Sequence, residues 1–221
     1  MYTLAFDTTS SSCSIALFSD NKCLSKFIKY MEFGQAETLI PEIDNILKTN
    51  KINFCDLDLL VVCTGPGSFT GVRSSISAAR SFGIACPQLN VLGVNAFDVY
   101  IQSLTFSPED IAPINAVIIE TKRDDFYYQL FDDKLHPITE PSAAMREDII
   151  KMVYGKKITL LGDGVERFLS SPTGLSIHSI QKENCLDIEN LALRGIYLHH
   201  KKQRNYPKPL YLRAPDVCIK S

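Results

Sequence analysis

A glycine-rich segment between an apolar run and a helical pattern has the residue types best suited to ligand chemistry. It reads Cys-Thr-Gly-Pro-Gly-Ser-Phe-Thr-Gly-Val-Arg over residues 63–73, and we call it the glycine elbow. A strand that turns through glycines into a helix leaves backbone N–H groups at the helix start, a geometry that holds anions. Glycines also allow close packing, because they carry no side chain. The sequence therefore predicts either a phosphate site or a close-packed junction here.

The two common phosphate-binding fingerprints both fail on the elbow. A Walker A loop places a lysine after its last glycine, whereas Val72 and Arg73 follow Gly71. The dinucleotide fingerprint needs a third glycine where this chain has Thr70, and an acidic residue about 20 positions further on. The stretch 85–95 contains no acidic residue. Neither nucleotide motif is present.

A polar segment at the end of the first predicted strand is the second candidate for ligand binding. Asp7, Thr8 and Thr9 combine a carboxylate with two hydroxyls, which could hold a phosphate or a metal-bound water. The alternative is a hairpin whose side chains bond the backbone of their own turn. With Gly65 and Gly67 of the elbow, these three residues are the candidates for a vestigial nucleotide site.

Histidines and cysteines show none of the spacings typical of catalytic or metal sites. The four histidines include no His-x-x-x-His pair, and adjacent His199 and His200 would point about 100° apart on a helix. The seven cysteines form no Cys-x-x-Cys pair, and their positions in apolar runs favour reduced, mostly buried thiols. We therefore predict no catalytic residue and no metal site.

The hydrophobic pattern predicts an α/β protein with mixed sheets flanked by helices. The opening third reads β-β-β-α-β-α-β-α, which is typical of such folds. A polar stretch with two prolines, 105–113, separates an N-terminal lobe, 1–105, from a smaller and degraded C-terminal lobe, 106–221. In the second lobe we expect Ser142 to cap a helix that reaches about Tyr154.

Small residues recur on one face of the helix that follows the elbow. They stand every four positions, at Gly67, Gly71, Ser75, Ala79 and Gly83. Such a face lets another helix approach closely. Two glycines in a helix interior each cost about 1 kcal/mol relative to alanine, which close packing would offset. Either another part of the same chain fills this groove, or a partner protein does.

The charge distribution is nearly neutral except near the C-terminus. Net charge is −2 over 221 residues, so no global field draws the protein to nucleic acid or a membrane. Residues 190–215 carry basic and tyrosine side chains and no acidic ones. Lys201, Lys202 and Arg204 could contact RNA, or these cations could complement a helix dipole. With no long apolar run and no basic leader, we expect a cytoplasmic protein without membrane association.

Four segments together resemble the bacterial TsaB (YeaZ) family. They are Ala-Phe-Asp-Thr-Thr at 5–9, Gly-Gln-Ala-Glu-Thr-Leu-Ile-Pro at 34–41, the elbow, and Pro-Leu-Tyr-Leu-Arg at 209–213. The resemblance extends over essentially the whole chain and implies a two-lobed fold of the actin, Hsp70 and sugar-kinase (RNase H-like) type. It departs from the family pattern at Gln35, where many members have histidine, and at 120–122, where many have Asp-Ala-Arg.

The resemblance also implies a role. Members act with the sister subunit TsaD and the ATPase TsaE to place threonylcarbamoyl on N6 of adenosine 37 in tRNA. The sister subunit carries metal-binding histidines in a Val-Asn-His-x-x-x-His motif, whereas this chain has Ala96 and Tyr100 at those two places. The resemblance therefore implies a non-catalytic partner with no cofactor of its own and with ATP used at the level of the complex. It further implies self-association into a homodimer when the chain is alone, and only indirect contact with tRNA.

The leading hypothesis is a scaffold that binds TsaD through its N-lobe helices. On this hypothesis Ala79→Trp or Gly71→Leu should abolish the complex and leave the isolated fold intact. The alternatives are an ATP-binding phosphotransferase or ATPase of the same superfold, with Gly162-Asp163-Gly164 as a second phosphate loop, or an inactive relative of the metalloprotease-like members. The candidate partner-binding residues are Ala36, Leu39, Ile40, Ile43, Gly71, Ser75, Ala79 and Gly83.

Overall fold

The N-terminal lobe is built on a five-stranded mixed sheet in the computed structural model, which describes residues 1–183, 185–203 and 205–213. The strand order is β3-β2-β1-β4-β5, with antiparallel pairing among the first three strands and parallel pairing of β1, β4 and β5. The strands are β1 Tyr2–Asp7, β2 Ser12–Ser19, β3 Lys22–Tyr30, β4 Leu59–Cys63 and β5 Asn90–Val94. The helices of this part of the chain are α1 Gln35–Thr49, α2 Phe69–Ala85 and α3 Ala96–Gln102.

Helices cover both faces of this sheet, because its central strands are apolar on both sides. On one face, α1 and α2 pack against Leu4, Phe6, Ile15 and their neighbours. On the other face, α3 and a helix from the end of the chain pack against the alternate residues of the same strands, such as Val61. The outer surface of the α1–α2 layer therefore faces away from the sheet.

The C-terminal half forms a second five-stranded sheet, in the order β10-β9-β6-β7-β8. Ser142 begins an edge strand that pairs with β7, and the next helix starts only at Arg146, so the predicted helix cap at Ser142 is wrong. The strands are β6 Ile114–Glu120, β7 Asp125–Phe131, β8 Ser142–Met145, β9 Lys157–Gly162 and β10 Ser176–Lys182. The helices are α4 Arg146–Val153, α5 Val165–Phe168 and α6 Ile188–His200.

The end of the chain returns to the first lobe. The predicted division between residues 105 and 106 falls between the two sheets, yet α6 packs on β1, β2, β4 and β5 of the first sheet. Gly195 permits this approach, because a Cβ at that position would overlap the side chain of Val61. Residues 205–213, which we call the C-terminal segment, then run along the elbow. The first lobe thus uses residues from both ends of the chain.

Hydropathy along the helices bears on membrane insertion. Among residues 1–183, 185–203 and 205–213, no helix combines the length and the apolar character that crossing a bilayer requires.

Candidate functional site

A cleft of about 280 Å³ lies between the two lobes. Of the candidate nucleotide-site residues, Thr9 and Gly67 line it, whereas Asp7, Thr8 and Gly65 lie outside its lining. The first lobe contributes Thr9, the elbow around Gly67, and the start of α3. The second lobe contributes the turn between β6 and β7, which spans 120–123, and Asp163. The cleft thus brings together segments that are far apart in sequence.

The elbow is held against the loop that follows β1 by short backbone contacts. The Ser68 amide donates to the Thr9 carbonyl at 2.7 Å. A Cβ added at Gly67 would lie 2.5 Å from that carbonyl oxygen, and one added at Gly71 would overlap the carbonyl oxygen of Thr8. The glycines are therefore required by close approach of two backbone segments of the same chain.

Side chains reinforce the same contact. The Thr8 hydroxyl donates to the Gly71 carbonyl at 2.7 Å, and it lies 2.6 Å from the Ser75 hydroxyl. Since the Thr8 proton is used on the carbonyl, Ser75 acts as the donor to Thr8. Both side chains are completely buried. Thr8, one of the candidate nucleotide-binding residues, has its hydroxyl turned into the junction with α2.

Asp7 lies at the base of this loop with its carboxylate fully buried. The Thr9 amide donates to the carboxylate at 3.0 Å, and the Ser10 hydroxyl lies 3.4 Å from it. Burial raises the pKa of Asp7, and these hydrogen bonds lower it in part. The Thr9 hydroxyl donates to the Cys63 sulfur at 3.6 Å, which joins the loop to β4. The loop makes the local bonds expected of an Asx turn.

Ala96 and Tyr100, both in α3, form part of the cleft wall. Both residues line the cleft, and each is only 2% exposed. Burial raises the pKa of Tyr100 well above its usual range, and the charge of Asp163 adds to the effect. Ala96 therefore presents a methyl group and Tyr100 a neutral phenol at the two positions that were compared above with the histidines of the Val-Asn-His-x-x-x-His motif. Among the described residues, histidine, cysteine and carboxylate side chains form no group of three or more that could hold a metal.

The second lobe places carboxylates of different character at the cleft. Burial raises the pKa of Asp163 to about 6, although its carboxylate accepts the Glu120 amide at 2.9 Å. Burial alone would raise the pKa of Glu120 as well. Its bidentate pair with Arg167, at 2.7 and 2.8 Å, lowers that pKa instead. The sequence analysis considered Asp163 only for a second phosphate loop, and it did not identify Glu120 as paired.

Glu183 follows β10 and was missed by the sequence analysis. Burial raises its pKa to about 8, and the charges of Asp187 and Asp163 add to the shift. No residue pattern near Glu183 reveals this environment, because it depends on segments folded over it. The carboxyl is therefore largely protonated below neutral pH.

The C-terminal segment crosses the elbow on its other side. The Leu210 amide donates to the Thr64 carbonyl at 2.9 Å, and the Arg80 guanidinium donates twice to the Pro207 carbonyl, at 3.1 and 2.7 Å. Arg73 donates to the Tyr211 hydroxyl at 2.9 Å and stacks on Phe69 at 3.6 Å. The segment thus forms one wall of a second cavity of about 440 Å³.

The structure locates two of the three predicted RNA-contact residues. Lys201 and Lys202 are exposed just after α6, and Arg204 lies outside the described residues. The Lys201 ammonium lies 5.6 Å from the centre of the Tyr197 ring. RNA contact at these lysines stays a prediction.

The predicted partner-binding residues divide into two groups. The buried ones, which lie against other parts of the first lobe, are Leu39, Ile43, Gly71, Ser75 and Ala79. Ala36 and Ile40 are exposed, and Gly83 is half-buried. The small-residue face of α2 is therefore filled by the same chain and not available to a partner. The expectation that Ala79→Trp or Gly71→Leu would leave the fold intact is wrong, because neither position has room for a larger side chain.

Exposed apolar side chains instead lie on the outer surface of the α1–α2 layer and around it. Ile40 of α1 is 47% exposed and Ile84 of α2 is 79% exposed. Phe33 lies just before α1, and Phe69 begins α2; they are 85% and 51% exposed. We call Phe33, Ala36, Ile40 and Ile84 the outer helix patch.

Comparison with known proteins identifies relatives by sequence. The family model described as "TsaD: tRNA N6-adenosine threonylcarbamoyltransferase" matches residues 34–190. The tRNA threonylcarbamoyladenosine biosynthesis protein TsaB of Buchnera aphidicola subsp. Baizongia pistaciae (strain Bp) is 26% identical over 174 residues, 75% of this chain and 76% of that protein. The protein of the same name from Bacillus subtilis (strain 168) is 23% identical over 184 residues, 82% and 76% of the two chains.

Solved structures resemble the chain in fold. YeaZ from Pseudomonas aeruginosa superimposes with a TM-score of 0.78 at 21% identity, over 96% of this chain and 99% of that one. Lmo2764, a candidate N-acetylmannosamine kinase from Listeria monocytogenes, gives a TM-score of 0.52 at 9% identity, over 92% and 100% of the two chains. These similarities confirm the predicted two-lobed α/β fold that sugar kinases share.

Proposed function

This chain belongs to the TsaB (YeaZ) family of tRNA threonylcarbamoyladenosine biosynthesis proteins, and we propose that it acts there as a non-catalytic subunit that binds TsaD, with TsaE as a further partner. On this proposal it holds no cofactor of its own, ATP is used by the assembled complex, and contact with tRNA is indirect. The protein works in the cytoplasm, and it pairs with a second copy of itself when TsaD is absent.

The observation that carries the proposal is the outer helix patch. Monomeric proteins bury most large apolar side chains, and a group of them on one surface marks an interaction site. Ile40 and Ile84 belong to α1 and α2, the two helices that cover one face of the first sheet. Ile40 lies in the first half of α1, and Ile84 lies at the end of α2 beside Tyr206. Two helices presented side by side suit docking against helices of a partner, with ridges packed into grooves.

The patch replaces the contact surface expected from the sequence. Ala36 and Ile40 remain in the proposed interface, and Phe33 and Ile84 join them. The buried residues of α1 and α2 act only by holding the two helices on the sheet. The interface is therefore centred on Phe33, Ile40 and Ile84, and a few well-buried anchor residues of this kind carry most of the binding energy in protein complexes.

The cleft supports the non-catalytic part of the proposal. A metal site at the start of α3 would need ligand side chains, and an alanine methyl cannot coordinate an ion. Tyr100 is buried and neutral, with its pKa well above the usual range because of burial. The Asp7 carboxylate and the Thr8 hydroxyl form hydrogen bonds with other groups of the same chain. The ATP-binding alternative predicts tight binding of Mg-ATP by the isolated chain, which a nucleotide titration measures directly.

A binding experiment with purified TsaD from the same organism tests the proposal. Ile40→Asp places a carboxylate in the patch without altering the core, and we expect it to weaken the complex by about 30-fold, or about 2 kcal/mol. Phe106→Asp is the matched control, because Phe106 is 62% exposed and lies outside α1 and α2. Isothermal titration calorimetry gives both affinities, and thermal unfolding verifies that both variants fold.

Two results would contradict the proposal. Unchanged affinity for Ile40→Asp would exclude the outer helix patch as the docking surface. Threonylcarbamoyl transfer to tRNA by the isolated chain, without TsaD, would exclude the non-catalytic role. Binding and activity are measured separately, so the assignment of the docking surface and the assignment of a non-catalytic role can each be refuted without the other.

A further inference from the structure

Two cysteines from different elements lie in contact near the far end of α2. Cys55 is in the short 3₁₀ turn Phe54–Asp56 before β4, and Cys86 is the C-cap residue that directly follows α2. Their sulfur atoms are 3.8 Å apart, and both are free thiols. A disulfide needs about 2.05 Å between the sulfurs, so the two sulfurs must approach one another by a little under about 2 Å. None of the proposed interactions with TsaD uses either residue.

The two thiols differ in access. Cys55 is exposed, whereas Cys86 is only 7% exposed and contributes to the apolar core under α1 and α2. Burial raises the pKa of Cys86, and its contact with Cys55 adds to this. A reagent in solution therefore reaches Cys55 first, and Cys86 is the neighbour in position to attack second. An exposed attacking thiol beside a second thiol is the arrangement of a disulfide-forming pair.

We propose that Cys55 and Cys86 form a modification site, at which a small-molecule disulfide such as oxidised glutathione closes an intramolecular disulfide bond. The Cys55 thiolate attacks one glutathione sulfur, so that a mixed disulfide forms and one glutathione thiolate leaves. The Cys86 thiolate then attacks the Cys55 sulfur and displaces the second glutathione. The protein loses two protons and two electrons, and one oxidised glutathione becomes two reduced molecules.

The surroundings keep the two sulfurs near one another. The turn that carries Cys55 is closed by Asn53, whose backbone amide and side-chain amide both donate to the Asp56 carboxylate, at 2.8 and 3.0 Å. Phe54 of the turn stacks against Phe82 of α2, with ring centres 4.6 Å apart. The turn is thus already packed on the last part of α2, and the disulfide would require little movement of either backbone. The bond would fasten the end of α2, which also carries Ile84, to the entry of β4.

The test is oxidation of the full chain with oxidised glutathione under native conditions, followed by denaturation and thiol titration. We expect the thiol count to fall from seven to five and the intact mass to drop by two hydrogens. Peptide mapping should find Cys55 joined to Cys86. Cys86→Ser should instead stop at the glutathione adduct on Cys55, and Cys23→Ser, a partly buried cysteine on β3, is the matched control that should still form the bond.

A second readout concerns stability. Because the bond closes a loop of the denatured chain, the oxidised protein should have a melting temperature higher by about 5 °C or more. A stable glutathione adduct on Cys55 in the parent chain, or Cys55 joined to a cysteine other than Cys86, would overturn the proposal. Loss of TsaD binding in the Ile40→Asp variant is a separate measurement, so failure of one proposal does not affect the other.

Discussion

The junction between the elbow and the β1 loop gives a prediction that separates packing from ligand binding. Thr8→Val keeps the shape of the side chain and removes its hydroxyl. The hydroxyl donates to the Gly71 carbonyl at 2.7 Å and accepts from Ser75 at 2.6 Å, and all of these atoms are buried. The substitution leaves the Ser75 hydroxyl without its acceptor inside the protein.

The magnitude follows from the lost bond to the Gly71 carbonyl and from the Ser75 hydroxyl that is left without its acceptor. A buried hydrogen bond contributes about 1 kcal/mol, and leaving a buried polar partner unsatisfied costs about 1–3 kcal/mol more. We therefore expect Thr8→Val to lower the free energy of unfolding by about 2–4 kcal/mol. For a chain of 221 residues this corresponds to a fall in melting temperature of roughly 4–16 °C.

Urea unfolding followed by circular dichroism measures this change. Thr70→Val is the control, because Thr70 lies on α2 with its side chain exposed, and it should change stability by less than about 0.5 kcal/mol. Adding Ser75→Ala to Thr8→Val should restore part of the loss, since it removes the unsatisfied hydroxyl. Normal stability of Thr8→Val, together with weaker nucleotide binding, would refute the packing role of this loop and favour a ligand site.

Two further predictions concern the elbow and the second lobe. Gly71→Ala should destabilise the chain more than Thr8→Val, because its Cβ would overlap the Thr8 carbonyl, and a stable Gly71→Ala protein in urea unfolding would contradict the close approach. Glu183→Gln should stabilise the protein increasingly as pH rises. The folded pKa of Glu183, about 8, lies above the ordinary 4.5, so the parent loses stability as pH rises through that window, by on the order of 5 kcal/mol in all. An equal difference in melting temperature at pH 5 and pH 9 would exclude this explanation.

The strands and helices around the elbow could be predicted because their patterns are local. The β1–β2 hairpin alternates residues between two buried faces, and α2 begins where Ser68 accepts the Gly71 amide. The edge strand at Ser142 and the strand β10 could not, because a strand at a sheet edge has exposed side chains and depends on its neighbour for pairing. A local residue pattern therefore predicts that a strand or helix exists more readily than it predicts where a strand pairs within a sheet.

The residues of the small-residue face of α2 could be predicted from the sequence, but the structure that this face contacts could not. Periodicity placed Gly71, Ser75 and Ala79 on one face, and the same periodicity is satisfied whether that face meets the core or a partner. Only the fold shows that it meets the β1 loop. The partial burial of Asp163 and Glu183 depends on segments distant in sequence, so their raised pKa values left no local signal.

The return of α6 and the C-terminal segment to the first sheet has a consequence for biosynthesis. The face of β1 and β4 that bears Val61 is covered by residues 188–200, and the elbow is crossed by residues 205–213. Both must leave the ribosome before the first sheet can be covered on that face. Nearly the whole chain is therefore synthesised with an apolar sheet surface still open to chaperones, and a premature stop before residue 188 would leave that surface open permanently.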